Sequence, residues 1–288
     1  MRGNVPAFHV EVPHDLQDAL SRLASDPELS PLAGGTDVMV LLEAGHLEPG
    51  RFLNIWGLDE LRGVRVSDDE VRVGALTRYR DIIAHPIFSA EYPMMVDAAR
   101  LSGAAAIQNR GTLGGNIVNA SPAADTPPCL MVYEAEVELM SQAGGIRRVP
   151  YTAFHHGYKA IERRHDELLT AVLLPREPGG QGAIHHYRKV GTRKAQAISK
   201  VVFAGVVRAD GGRIAECRMA LGSVGPTVMR CSAAEEALSG LLIGDALERV
   251  EGLVADEVTP IDDVRSTAAY RAAISGRVAR ECIGMLLQ

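Results

Sequence analysis

The 288-residue sequence has little that would serve metal, nucleic-acid or membrane chemistry. Its four cysteines, Cys129, Cys217, Cys231 and Cys282, never fall in a CxxC pair, so neither an iron–sulfur cluster nor a zinc site is expected from this chain alone. They read as buried free thiols of an intracellular protein. Lysine and arginine number 30 against 36 aspartates and glutamates, and the net charge of −6 offers no basic face to a phosphate backbone. No run approaches the roughly 20 apolar residues that span a bilayer. Met1 to Val12 carries neither an apolar core nor a small-residue cleavage site, and a cytoplasmic location is expected. Also missing are GxGxxG and GxxxxGKS/T, so dinucleotide binding would need a scaffold other than a Rossmann or Walker loop.

What is present is ample core: 47% of residues are hydrophobic and 23% charged, and the length suits two packed domains. The N-terminal third alternates short strands and helices. His9 to Val12 is strand-like, Asp15 can cap a helix with Leu16, Ala19, Leu20 and Leu23 on one face, and Pro27 stops it. After Gly34-Gly35-Thr36-Asp37, residues Val38, Met39, Leu41 and Leu42 form an apolar helical face that ends before Gly45. Strands are expected at Phe52 to Ile55, Val64 to Val66 and Val71 to Val73, then helices at Thr77 to Ala84 and Met94 to Leu101. Loops dominate from Gly111 to Pro128, with a short helix carrying Leu130 to Val132. Strands resume at Val137 to Met140, Ile146 to Val149 and Leu168 to Leu174. The Pro/Gly-dense stretch Pro175 to Gly182 marks a boundary. Beyond it come three strands, Ala183 to Val190, Ile198 to Arg208 and Arg213 to Leu221, and then helices from Ala233 onward. Strands followed by helices imply a small antiparallel sheet covered on one face.

Two glycine clusters could carry chemistry. Gly34-Gly35-Thr36 sits where a strand turns into a helix, and bare backbone there can bring successive N–H groups to an anion such as a pyrophosphate. Gly114-Gly115-Asn116 offers a second set of backbone donors, with hydroxyls from Thr112 and Ser121 and a carboxylate from Asp125 that could accept from a ribose or ribityl hydroxyl. Taken singly, a paired glycine is more often just a tight turn, and neither cluster suffices alone.

Order and detail together decide. Leu32-Ala33-Gly34-Gly35-Thr36-Asp37, then Gly111-Thr112-Leu113-Gly114-Gly115-Asn116-Ile117, then Asn119 to Pro128 resemble the FAD-binding subunit of the xanthine dehydrogenase and carbon monoxide dehydrogenase family. Tyr187-Arg188-Lys189-Val190-Gly191-Thr192-Arg193 leading to Ala197-Ile198-Ser199 extends the resemblance into the C-terminal part, so that it covers essentially the whole chain. It implies an α+β fold: a two-part FAD-binding domain of the vanillyl-alcohol-oxidase type over residues 1–175, divided near residue 57, and a C-terminal domain over 183–288. It also implies that Ala33, Gly34, Gly35, Thr36 and Asp37 line the FAD pyrophosphate on one side and Thr112, Leu113, Gly114, Gly115 and Asn116 on the other. Ser121 and Asp125 would hold polar groups of FAD, and the segment around Tyr187 and Lys189 would approach the flavin end. Arg188, Lys189 and Arg193 read as cations that favour reduced flavin, or as a solvated strand end.

The same resemblance implies electron relay. Hydroxylation would take place at a molybdopterin on a large partner subunit, and electrons would pass through two-iron two-sulfur clusters on a small subunit. FAD on this chain would then hand them to NAD, a quinone or a cytochrome, in a dimer of heterotrimers. No His or Cys lies in either glycine loop, so FAD should be bound non-covalently. A free-standing flavin oxidoreductase would need a proton donor aimed at its own substrate, and no Ser, Tyr or Glu constellation suggests one. A scaffold that has lost its flavin conflicts with the intact glycine pairs. His155-His156 and His185-His186 are adjacent in strand-like segments, where neighbours point to opposite faces and cannot share an ion. Trp56 reads as a core anchor or a partner contact.

Overall fold

The computed structural model describes residues 7–194 and 196–288; the first six residues of the expected FAD-binding domain lie outside the described residues. The chain opens with β1 (Phe8–Glu11), α1 (Leu16–Ser25), β2 (Leu29–Leu32), α2 (Val38–Ala44) and β3 (Gly50–Asn54). The strands form a parallel sheet in the order β1-β3-β2. Asp15 caps α1 by accepting from the Asp18 N–H at 2.8 Å, and Ala19, Leu20 and Leu23 are buried beneath it. Gly45 ends α2 in the left-handed conformation, φ 71°, that glycine adopts freely. The apolar face expected of α2 does not pack inward: no residue of this helix is buried, and Val40 is 64% exposed.

A second sheet follows. Its elements are β4 (Val64–Val66), β5 (Glu70–Gly74), α3 (Tyr79–Ala84), α4 (Pro86–Glu91), α5 (Pro93–Leu101), α6 (Ala105–Gln108), α7 (Leu113–Asn119), α8 (Pro127–Val132), β6 (Glu136–Ser141), β7 (Gly145–Pro150), β8 (His155–Gly157), β9 (Ala160–Ile161) and β10 (Leu168–Pro175). Five strands pair antiparallel in the order β4-β5-β10-β6-β7, and β8 pairs with β9 apart from them. Central β10 is buried from Leu168 to Leu174, which is why its sequence is an unbroken apolar run rather than an alternating one. One expectation is corrected here. The stretch after Gly111 is not mainly loop, because Leu113 to Asn119 form a helix despite two glycines. Thr112 caps it, accepting from the Gly115 N–H at 3.2 Å. Gly114 packs so closely on β5's exit that a Cβ would lie 2.8 Å from that of Ala75. Tertiary packing outweighs the low helix propensity of glycine.

The C-terminal part comprises β11 (Ile184–Val190), β12 (Val201–Asp210), β13 (Arg213–Gly222), β14 (Met229–Arg230), α9 (Ser232–Leu238), α10 (Ile243–Glu257) and α11 (Ala268–Gly284). Its four strands are antiparallel in chain order. Phe203 of β12 packs with the helices, and a Cβ on Gly205 would stand 2.8 Å from the Cys282 sulfur of α11. Ala204 and Val206 point the other way, into the core of the five-stranded sheet with α5 and α8. His185 and His186 separate along the same line: His185 Nδ1 lies 3.1 Å from the Tyr133 hydroxyl, whereas His186 packs on Phe203.

Burial lowers the pKa of His155, His185 and His186 below the ordinary histidine value. The fold therefore favours their neutral forms. This contribution to stability is complete above about pH 6.5 and is lost as pH falls through that value towards the lowered ones. A thermal melt series should show a constant Tm from pH 8 to about pH 7 and a fall towards pH 5.5; a Tm that rises over the acid limb contradicts the assignment.

Candidate functional site

The turn between β2 and α2 presents Gly34, Gly35, Thr36 and Asp37. None of their four N–H groups donates to another described residue. Gly35 sits at φ 73°, a conformation that costs other residues about 1 kcal/mol or more. Gly34 faces the chain just before α7 so closely that a Cβ would overlap the carbonyl oxygen of Arg110. Two stretches of main chain thus touch, and between them and β10 lies a cleft of about 650 Å³, within the usual range for small-molecule sites.

The second cluster is built differently from the expectation of bare donors. Leu113 N–H donates to Thr77 O and Gly114 N–H to Ala75 O, both at 2.9 Å. Gly115 N–H is taken by Thr112 and Asn116 N–H by the Thr112 carbonyl. Gly114 and Gly115 let the first turn of α7 approach closely, and of the two glycine clusters only the first keeps its backbone N–H groups unspent among the described residues. Asn116 adds its amide, whose Oδ1 accepts from Thr126 at 2.6 Å.

At one end of the cleft stands a buried polar network. Asp125 and Lys189 pair at 2.8 Å, with side chains only 11% and 9% exposed. Ser102 and Ser199 each donate to the Asp125 carboxylate at 3.2 Å, and Lys189 also donates to Leu101 O at 3.0 Å. Burial raises the Asp125 pKa, opposed by the Lys189 ammonium and the two hydroxyls. Tyr187 donates to the Asp125 carbonyl at 3.3 Å. The network joins the C-terminal sheet to the segment before α8.

Of the residues expected from the glycine motifs and their flanks to hold FAD, all but Leu113 and Tyr187 line the cleft; those two are packed behind it. Asp125 faces the cleft but its oxygens already hold Lys189, Ser102 and Ser199. Arg188 and Arg193 do not line it, and Arg193 instead donates to Gln196 O. Trp56 is half-buried with two guanidinium groups over its ring, Arg62 at 4.6 Å and Arg110 at 4.0 Å from the centroid. Sequence reasoning missed Arg163, Ile198 and the β10 residues Leu168 and Leu169, which also line the cleft. For Leu168 and Leu169 the apolar run was a signal of burial; for Arg163, in a charged stretch, there was none.

Residues 6–177 match the family described as FAD binding domain in molybdopterin dehydrogenase, and residues 185–286 match the CO dehydrogenase flavoprotein C-terminal domain. The chain belongs to this family of molybdenum-hydroxylase flavoproteins. A putative xanthine dehydrogenase FAD-binding subunit of Escherichia coli K12 is 32% identical over 93% of this chain and 92% of its own length. The carbon monoxide dehydrogenase medium chain of Hydrogenophaga pseudoflava is 28% identical, with 96% of both chains covered. A solved structure of carbon monoxide dehydrogenase from that organism superposes with a TM-score of 0.91 at 28% identity, covering 97% of each chain. FAD, the group this flavoprotein family implies, fits the residues present: four free N–H donors in a row suit a pyrophosphate, and a cradle that Cβ atoms would obstruct suits close approach.

Gly34→Ala should force the two loops apart and sharply lower the FAD content of the purified flavoprotein. Gly57→Ala, where a Cβ meets nothing within 4 Å, should leave it unchanged. Equal flavin content in both variants contradicts the clamp. Lys189→Met, which strands a buried carboxylate, should cost about 3–5 kcal/mol in denaturant unfolding, and Asp125→Asn in the same chain should recover part of that loss.

Proposed function

We propose that this chain holds FAD non-covalently in the cleft and acts as the electron-transfer subunit of a multi-subunit molybdenum hydroxylase. One observation carries the reading: the free N–H row of Gly34 to Asp37 lines, in a cleft of suitable size, the same space as the glycine-bearing first turn of α7. In this reading Ala33 to Asp37 contact the pyrophosphate from one side. Thr112, Gly114, Gly115 and Asn116 contact it from the other, with Leu113 and Tyr187 supporting from behind. Ser121 faces the polar groups of FAD. The Asp125–Lys189 pair fixes an ammonium at the flavin end, held still by Leu101 O and the serine hydroxyls. When bound, FAD supplies the exchange between one-electron carriers and a two-electron acceptor.

The chain's own residues bind, orient and shield the cofactor, and among the described residues no group of three or more His, Cys, Asp or Glu could hold a metal ion. We assign hydroxylation to a large molybdopterin subunit and the intervening electron steps to a small subunit with two-iron two-sulfur clusters, in a dimer of heterotrimers. The names of the relatives, a carbon monoxide dehydrogenase medium chain and a xanthine dehydrogenase FAD-binding subunit, support this assembly. NAD, a quinone or a cytochrome accepts the electrons. A division at residues 1–175 and 183–288 and a cytoplasmic location belong to the same reading. The latter is supported by four free cysteines.

The visible spectrum of the purified chain is the direct test. A flavin band that stays in the supernatant when the denatured protein is precipitated, leaving a colourless pellet, shows non-covalent FAD. No flavin band even after adding FAD sinks the proposal. Reduction by an organic substrate without partner subunits points instead to a free-standing flavin oxidoreductase.

A further inference from the structure

Two cationic side chains line the cleft, Lys189 and Arg163. Lys189 is committed to Asp125. Arg163 lies in the segment between β9 and β10 and lines the same cleft as Gly34 to Asp37, Leu168 and Leu169. It stands in a charged cluster whose carboxylates are already engaged. Glu167 pairs with Arg147 at 2.6 Å and with Arg164 at 3.0 Å, Glu162 with Arg147 at 3.3 Å, and Asp166 with Arg164 at 3.4 Å. Among the described residues Arg163 has no ion-pair partner.

Its hydrogen bonds are one-sided. The Nη1 group donates to the carbonyls of Arg164, His165 and Glu167 at 3.0, 3.4 and 2.6 Å, while the Nε–H is buried without an acceptor. Burial also lowers its pKa, opposed by the charges of Glu167 and Asp166. A guanidinium held this way is expensive unless an anion arrives. The three carbonyls hold the group on the cleft wall, and the anion expected in the cleft is a diphosphate to which the N–H row of Gly34 to Asp37, with the Asp37 carboxylate at its end, brings no countercharge.

We infer that Arg163 is a cofactor-binding residue, supplying the positive charge that neutralises the diphosphate of FAD. The inference rests on the FAD reading above. It makes Arg163 specific for the diphosphate and indifferent to the flavin ring, so the dependence should appear with FAD and ADP and be absent with riboflavin.

The test is a titration of the full chain, stripped of flavin, with FAD, riboflavin and ADP. Flavin fluorescence reads the first two and thermal shift reads the third. Arg163→Gln should weaken FAD about 10- to 100-fold, the range expected for one charged hydrogen-bonding group. It should also abolish the stabilisation by ADP while leaving riboflavin affinity unchanged. Unchanged FAD affinity overturns the inference. So does an equal loss for riboflavin, which would mean that Arg163 only shapes the cleft. If Arg163→Gln does not fold, Arg163→Lys carries the test: the retained charge predicts retained FAD binding, and loss of FAD by a folded Arg163→Lys overturns the inference. A wild-type chain that takes up no FAD at all defeats the FAD reading itself, a result separate from any difference between variants.

Discussion

The cleft depends on one close approach. Gly34 and the Arg110 carbonyl lie nearer than any side chain allows, and that contact sets the spacing between the N-terminal parallel sheet and the helices that follow the second sheet. Everything that lines the cleft is referred to it. The first glycine loop is held with its amides unspent, and α7 is drawn in until Gly114 meets Ala75. Trp56, in cation–π contact with both Arg62 and Arg110, ties Arg110, the residue that carries this carbonyl, to the chain after β3.

The two glycine motifs divide the work. In the first, glycine serves conformation and access: φ 73° at Gly35 and a row of free donors. In the second, glycine serves packing, since its N–H groups are consumed by Ala75 O and the Thr112 cap. Charge is placed elsewhere again. Lys189 balances Asp125 inside the protein, so the glycine loops, which carry no cation, leave a dianionic guest to find its countercharge on Arg163.

Much of this was legible in the sequence. The caps at Asp15 and Gly45, the apolar run of β10 and the strands of the C-terminal sheet follow from local chemistry, and they appear close to where periodicity puts them. The glycine pairs pointed to the cleft because glycine has few reasons to recur in such a pattern. What was hidden depends on distant partners. The helix at Leu113 to Asn119 exists because Thr112 caps it and Ala75 receives it, and no window of sequence contains that fact. The open face of α2 reads as a core face, since apolar spacing reports that a surface wants cover without saying what covers it. Arg163 looks like one more solvated charge until the neighbouring carboxylates prove to be taken.

Strand β12 has a consequence for how the molecule comes apart. Its two faces belong to two cores, Phe203 among the C-terminal helices and Ala204 and Val206 among those of the flavin domain. The C-terminal sheet is therefore a party wall. Separating the domains would strip apolar surface from both sides of one strand at once, so the halves that sequence families treat as distinct modules should melt in a single cooperative step. The same geometry opposes a hinge at this wall and leaves the rim near Val40 and Ile198, exposed and lining the cleft, as the side from which a cofactor would enter.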